Sequence, residues 1–154
     1  MTYKFQTLAS LVLTILIGGF VFSFAASAMD EPASSRIDLI YVWTAHEGME
    51  TQLIDTYAAV GAVLEAGEPG LLTYEISISE TGNQLVIREV FEDNAALAMH
   101  LNGTAAQYFP QIAEFATPGP FIFRGEVADE LRHAAYGMNM GAIFTTDWDG
   151  FNRE

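Results

Sequence analysis

The chain has 154 residues, is 51% hydrophobic and lacks cysteine, which points to one domain with a real core and excludes disulfides, thiolate catalysis and cysteine-bound metals. Lys4 is the only lysine, and beyond residue 28 five arginines face 20 acidic residues, a net charge of −15. Such a surface repels phosphate backbones and anionic lipid headgroups, so nucleic-acid partners are excluded.

Residues 1–28 read as a signal peptide. Lys4 gives a positive start, residues 11–24 are almost all apolar, and Ala26-Ser27-Ala28 has the small-x-small form of a cleavage site. The alternative is a retained N-terminal anchor, but the apolar run is shorter than the roughly 20 residues of a spanning helix. Cleavage after Ala28 implies a periplasmic or secreted protein with no membrane attachment. Residues 29–36 are a short linker. Residues 37–43 form a strand with Ile37, Leu39, Tyr41 and Trp43 on one face and Ile40 and Val42 on the other, which asks for cover on both sides. An amphipathic helix is predicted over 47–66, with Met49, Leu53, Tyr57, Val60 and Leu64 on one stripe. Gly67-Glu68-Pro69-Gly70 ends it, because glycine accepts the left-handed terminal position and proline cannot continue a helix.

Leu72, Tyr74, Ile76 and Ile78 alternate with mostly polar residues, the pattern of a half-buried strand. Gly82-Asn83 then reads as a hairpin connection. The returning strand carries Leu85, Ile87, Glu89 and Phe91 on one face, so a glutamate shares a face with three large apolar side chains. Asp93 is a plausible N-cap for a short helix whose His100 lies one turn beyond Leu97. Asn102-Gly103-Thr104 is expected to break that helix, with Thr104 capping a second segment that carries Tyr108, Ile112 and Phe115. A turn at 117–120 leads to a last strand over 121–127. Residues 129–154 begin as a helix and end in a loose aromatic run, expected to pack back on the domain or on a dimer partner.

The order β-α-β-β-α-β is that of a ferredoxin-like α+β sandwich with its helices on one face of the sheet. The other face carries Ile40, Val42, Val86 and Val90, too apolar for water, so a second copy is expected to cover it in a homodimer.

Two stretches carry a family resemblance: Arg88-Glu89-Val90-Phe91-Glu92-Asp93, and Ala96-Leu97-Ala98-Met99-His100-Leu101 followed by a polar break and Tyr108-Phe109. With these, residues 37–128 resemble the antibiotic biosynthesis monooxygenase family, in particular its small quinol-monooxygenase-like members. The resemblance implies a dimeric α/β barrel, here with a C-terminal extension over 129–154. It also implies oxidation of a small aromatic substrate, a hydroquinone or polycyclic phenol, by dioxygen without metal or flavin. Some relatives instead cleave haem, using a tryptophan near the position of His100 and a histidine ligand about where Pro110 stands. Proline cannot ligate iron, so no cofactor is expected.

Within this frame His100 is the candidate general base, since an imidazole titrates near neutral pH. Glu89 would orient the ring or hold a substrate hydroxyl. Tyr74, Phe91 and Tyr108 would line an aromatic pocket, and Trp43 would close its mouth. Each has a plainer alternative: His100 packed and hydrogen-bonded, Glu89 paired with Arg88 or Arg124, and the aromatics as core. The alternative function is a non-catalytic dimeric module that binds a small apolar ligand. Three metal-like patterns are weaker. His46-Glu47-Gly48-Met49-Glu50 lacks the second histidine of a zinc-protease helix. Met138-Asn139-Met140 downstream of His133 reads better as packing than as copper ligation. Residues 147–150 lack most ligands of a calcium loop.

Overall fold

A computed structural model of the chain describes residues 35–146. The predicted signal peptide, most of the linker and the 147–150 segment lie outside the described residues. Among those described, the elements are β1 (Ile37–Ala45), α1 (Glu50–Gly67), β2 (Leu71–Ile78), β3 (Gln84–Phe91), α2 (Asn94–His100), α3 (Ala106–Ile112), β4 (Ala116–Pro118), β5 (Phe121–Arg124), α4 (Asp129–Gly137) and β6 (Ala142–Thr145). A π-helical turn, Leu101–Ala105, joins α2 to α3.

The sheet order is β2-β3-β1-β5-β6, with β4 also paired to β1. β1 is antiparallel to β3, and β3 to β2. This is the ferredoxin-like α+β arrangement, with the helices packed on one side. Period-2 alternation sets the core face: Ile37, Leu39, Tyr41, Trp43 and Ala45 are buried while the residues between them are half-buried. On β3 the matching face is Leu85, Ile87, Glu89 and Phe91, all buried. Leu53, Tyr57, Val60 and Leu64 of α1 pack toward this core, as do Leu97 of α2 and Phe109 and Ile112 of α3.

The last strand of the motif departs from the predicted 121–127 run. It is split into β4 and β5, both antiparallel to β1, and the register shifts by one residue between the Trp43↔Pro118 and Ile40↔Ile122 pairs. Gly119 donates its N–H to the Val42 carbonyl at 2.7 Å, but Pro120 has no N–H to continue the ladder. The strand stops at Arg124 because Gly125 adopts φ +110, and a Cβ there would lie 2.6 Å from the Arg36 carbonyl oxygen.

Asp93 caps α2 as expected, its carboxylate accepting the Ala96 N–H at 2.9 Å. The predicted break at 102–104 does not occur. The chain absorbs an extra residue as the π-helical turn and continues into α3, so Thr104 faces the interior instead of capping a helix. Nor does α1 end on a left-handed glycine, since neither Gly67 nor Gly70 has positive φ. At the sheet edge, Leu72, Ile76 and Ile78 are 46%, 37% and 54% exposed. β2 is the edge strand, and α1 meets it through Tyr74, whose hydroxyl donates to the Tyr57 carbonyl at 3.2 Å.

Up to residue 146 the tail is more ordered than a loose run. α4 brings the chain back so that β6 pairs parallel to β5, Phe121 to Ala142 through Arg124 to Thr145. Phe144 stacks on Phe123 with centroids 4.8 Å apart, and the Arg132 guanidinium sits 4.8 Å above the Phe144 ring. On the face of the sheet away from the helices, Ile40 and Val42 are half-buried and Val86 is exposed, while Val90 is buried by its own chain. Arg88 crosses this face, bonding Asp38 at 3.0 Å and Glu75 at 3.2 Å.

Candidate active site

His100 ends α2 with its imidazole only 1% exposed. Both ring nitrogens meet carboxylates. Nδ1 lies 3.0 Å from Glu68 Oε2, within hydrogen-bond reach. Nε2 lies 3.4 Å from Glu89 Oε2, close enough for an ion pair but without hydrogen-bond geometry. Glu89 arrives from the core face of β3, and its Oε1 accepts a hydrogen bond from the Tyr41 hydroxyl at 2.9 Å. Phe91 and Phe109 flank the imidazole, with centroids 5.2 and 6.4 Å away.

Glu68 reaches His100 through local backbone rules. The residue before a proline is pushed out of the helical region, and Glu68, preceding Pro69, leaves α1 with φ −122 and ψ 75. Its N–H still bonds the Leu64 carbonyl at 2.9 Å, which fixes the exit of the chain. Two residues on, Gly70 lets α2 come close: a Cβ there would lie 2.6 Å from the Ala96 Cβ. Thr104, from the π-helical turn, donates its hydroxyl to Glu68 Oε1 at 2.5 Å. The result is a buried chain of polar groups, Thr104–Glu68–His100–Glu89–Tyr41, inside an apolar core.

The environment sets where protons reside. Burial works to raise Glu68, but hydrogen bonds from His100 and Thr104 and the imidazolium charge hold it below the usual carboxylate value. Burial raises Glu89, and the opposing pull of His100 and Tyr41 does not restore it. For His100 burial disfavours the charged ring, yet Glu89 and Glu68 together raise its pKa. The ring is therefore a stronger base than free histidine. Burial, with Glu89 adding to it, pushes the Tyr41 phenol well above its ordinary value. Four buried polar atoms lack a hydrogen-bond partner among the described residues: His100 Nε2, Glu89 Oε2, Trp43 Nε1 and the Tyr57 hydroxyl. The Tyr57 hydroxyl is near Tyr41 and Trp43, but in no hydrogen-bond geometry with them. Such atoms are uncommon in folded proteins and cost free energy unless water or a ligand meets them.

Of the residues singled out in the sequence, His100, Glu89 and Phe91 come together. Glu89 does not pair with Arg88, whose guanidinium is engaged with Asp38 and Glu75 on the opposite face. Tyr74 stands opposite Glu89 in the β2–β3 register. It also lines a surface cleft of about 490 Å³ with Gly61, Leu64, Glu68, Pro69 and Leu71. Trp43 is fully buried, with Phe109 and Phe121 edge-on at 5.8 and 6.2 Å, so it stands at no mouth. Tyr108 lies elsewhere, in an open cleft with Thr51, Asp55 and Gln111. Phe109, its neighbour, takes the inward place because the π-helical turn advances the helical phase. His46 hydrogen-bonds the Thr117 hydroxyl at 3.2 Å ahead of α1, and among the described residues no three His, Asp or Glu are grouped to hold a metal. Glu68, Thr104 and Tyr41 were not singled out from sequence as site residues. The available signal for Glu68 was its place before proline between two glycines, a carboxylate on a tightly constrained turn.

No protein of curated function matches the chain in sequence. Among solved structures, MupZ from Pseudomonas fluorescens is similar at 24% identity and a TM-score of 0.61, over 77% of this chain and 94% of that one. A Bacteroides thetaiotaomicron protein described as a possible oxidoreductase is 25% identical with a TM-score of 0.53, over 59% of this chain and 97% of its own. SnoaB, a cofactor-independent oxygenase from Streptomyces nogalater, is 17% identical with a TM-score of 0.48, over 62% of this chain and 94% of its own. Residues 38–111 match the sequence model of the family described as Antibiotic biosynthesis monooxygenase. Over those residues, the chain is similar to the antibiotic biosynthesis monooxygenase family.

Proposed function

We propose that this domain is an exported, cofactor-independent oxygenase of a quinol-like or polycyclic phenolic substrate, with His100 as general base supported by Glu89. The observation that carries the reading is the buried imidazole held between Glu68 and Glu89, with Nε2 and Glu89 Oε2 lacking hydrogen-bond partners among the described residues. Removing a proton from an electron-rich phenol gives a phenolate that can pass electrons to dioxygen. The substrate then supplies all the electrons: one oxygen atom enters the product and the other leaves as water. The protein's part is a base, orientation and exclusion of water. An imidazole whose basicity is raised by two carboxylates suits the first of these. Phe91 and Phe109 give the site aromatic walls, and Tyr74 flanks it from β2. The N-terminal signal pattern supports export.

The test is oxygen uptake by the purified protein with a panel of hydroquinones and phenols under air. Substrate-dependent uptake that fails in His100→Ala supports the reading. A folded protein that takes up no oxygen with any member of the panel overturns it. One observation favours the second reading, a binding module without chemistry: His100 and Glu89 are 1% and 0% exposed, so a substrate must displace side chains to reach them.

A further inference from the structure

We infer that Glu68 is the proton-exchange residue of this site, carrying protons between the cleft beside α1 and β2 and the sealed His100–Glu89 pair. The inference deepens the proposed base role of His100. A group that gains and loses protons must exchange them with solvent, and His100 and Glu89 are both cut off from it. Glu68 touches both sides of the seal. Its Oε2 is 3.0 Å from His100 Nδ1, and the same residue, 8% exposed, lines the open cleft with Glu65 and Tyr74.

The polar groups around the His100–Glu89 pair leave Glu68 as the exit among them. From β1, the Tyr41 hydroxyl is buried and committed to Glu89. From α1, the Tyr57 hydroxyl is buried without a hydrogen-bond partner among the described residues. From β2, the Tyr74 hydroxyl donates to the Tyr57 carbonyl. From the π-helical turn, the Thr104 hydroxyl holds Glu68 Oε1 and so aims Oε2 at the ring. The transfer is simple: the Nδ1–H bond breaks as an Oε2–H bond forms, the electron pair stays on nitrogen, and Glu68 then releases the proton to water in the cleft. Return runs the same path in reverse. Hydrogen bonds from His100 and Thr104 hold Glu68 below the usual carboxylate value, so a proton it accepts passes on to water.

The experiment reads proton exchange rather than turnover, so it stands whether or not the protein is an oxygenase. In the full chain labelled with 15N-histidine, the exchange of the His100 Nδ1–H with water is measured by NMR for wild type, Glu68→Gln and Glu68→Asp. Glutamine keeps an oxygen to accept from Nδ1 but cannot carry a proton, so exchange should slow by about two orders of magnitude, with the tautomer unchanged. Aspartate keeps the carboxyl but retracts it, and exchange should fall between the two. If Glu68→Gln does not fold, the slowing in Glu68→Asp decides. An exchange rate equal to wild type in either folded variant overturns the inference, whereas loss of oxygen uptake alone would bear only on the oxygenase reading.

Discussion

His100 Nε2 and Glu89 Oε2 face each other at 3.4 Å in the core, and neither atom has a hydrogen-bond partner among the described residues. Charges placed this way are retained at a cost to stability. Removing one partner leaves the other buried alone, so His100→Ala and Glu89→Ala should each destabilise the fold by roughly 3–5 kcal/mol. Replacing both with alanine should cost less than the two single changes summed, because neither member of the pair is then left facing an empty partner position. Urea denaturation of the four-protein cycle checks this. Additive costs would mean that the pair is not coupled.

The same groups give stability a pH dependence whose sign can be worked out. The pKa of His100 is raised, so its contribution is complete below pH 6.5, the ordinary histidine value, and is lost as pH rises through the folded value. The pKa of Glu68 is lowered, so its contribution is present above 4.5 and is lost as pH falls through its folded value. Glu89 has a raised pKa and opposes Glu68, becoming costly as pH climbs past 4.5. The distinctive signature is therefore a decline in melting temperature on the alkaline side of pH 6.5. Thermal scans should find it in wild type and find it flattened in His100→Leu.

Turnover should run the other way. The neutral ring is the one that accepts a proton, so the rate should rise with pH, with an apparent pKa above the ordinary 6.5. His100→Ala should lower the rate per folded molecule by roughly two to four orders of magnitude. Oxygen uptake as a function of pH, normalised to folded protein by circular dichroism, measures both. An unchanged specific activity would leave His100 a structural residue.

Gly70 and Ala96 form the contact that seats Glu68 against α2. A methyl group at Gly70 would come within 2.6 Å of the Ala96 Cβ, so Gly70→Ala should destabilise the protein by about 1–3 kcal/mol. It should also separate Glu68 from the imidazole. Adding Ala96→Gly should restore much of the loss, and melting temperatures of the single and double variants test this. Without rescue, the close approach is not what holds the turn.

The homodimer expected from the sequence rests on the sheet face away from the helices. Val90 is a poor probe of it because its own chain already buries it, whereas Val86 is 38% exposed. Val86→Glu should leave folding intact and shift a dimer toward monomer by placing a charge in the shared surface. Sedimentation in high salt, where self-repulsion of the acidic chain is screened, gives the answer. A wild-type monomer at micromolar concentration would remove the proposal.

The order of elements was legible because β1, β3 and α1 each carry an unbroken period, and Asp93 sits one residue before its helix. Glu89 and His100 could be placed on core faces for the same reason. Glu68 could not be paired with His100, since the two are 32 residues apart and the contact depends on how a loop meets a helix. Phe109 was passed over for Tyr108 because a helix restarted at Thr104 has a different phase from one carried through a π-helical turn. β6 was missed because a strand of four residues has no periodicity to read, and its partner β5 only comes into reach through the return of α4.

That return has a consequence for where the protein can be cut. A chain trimmed after Val127 would keep every element of the family motif, yet it would uncover a full row of backbone donors and acceptors on β5 and strip Phe144 from Phe123. Bare strands of that kind recruit other strands, including those of identical molecules. The C-terminal segment thus serves as the sheet's own terminator. Shortened versions should yield insoluble assemblies rather than a smaller working domain.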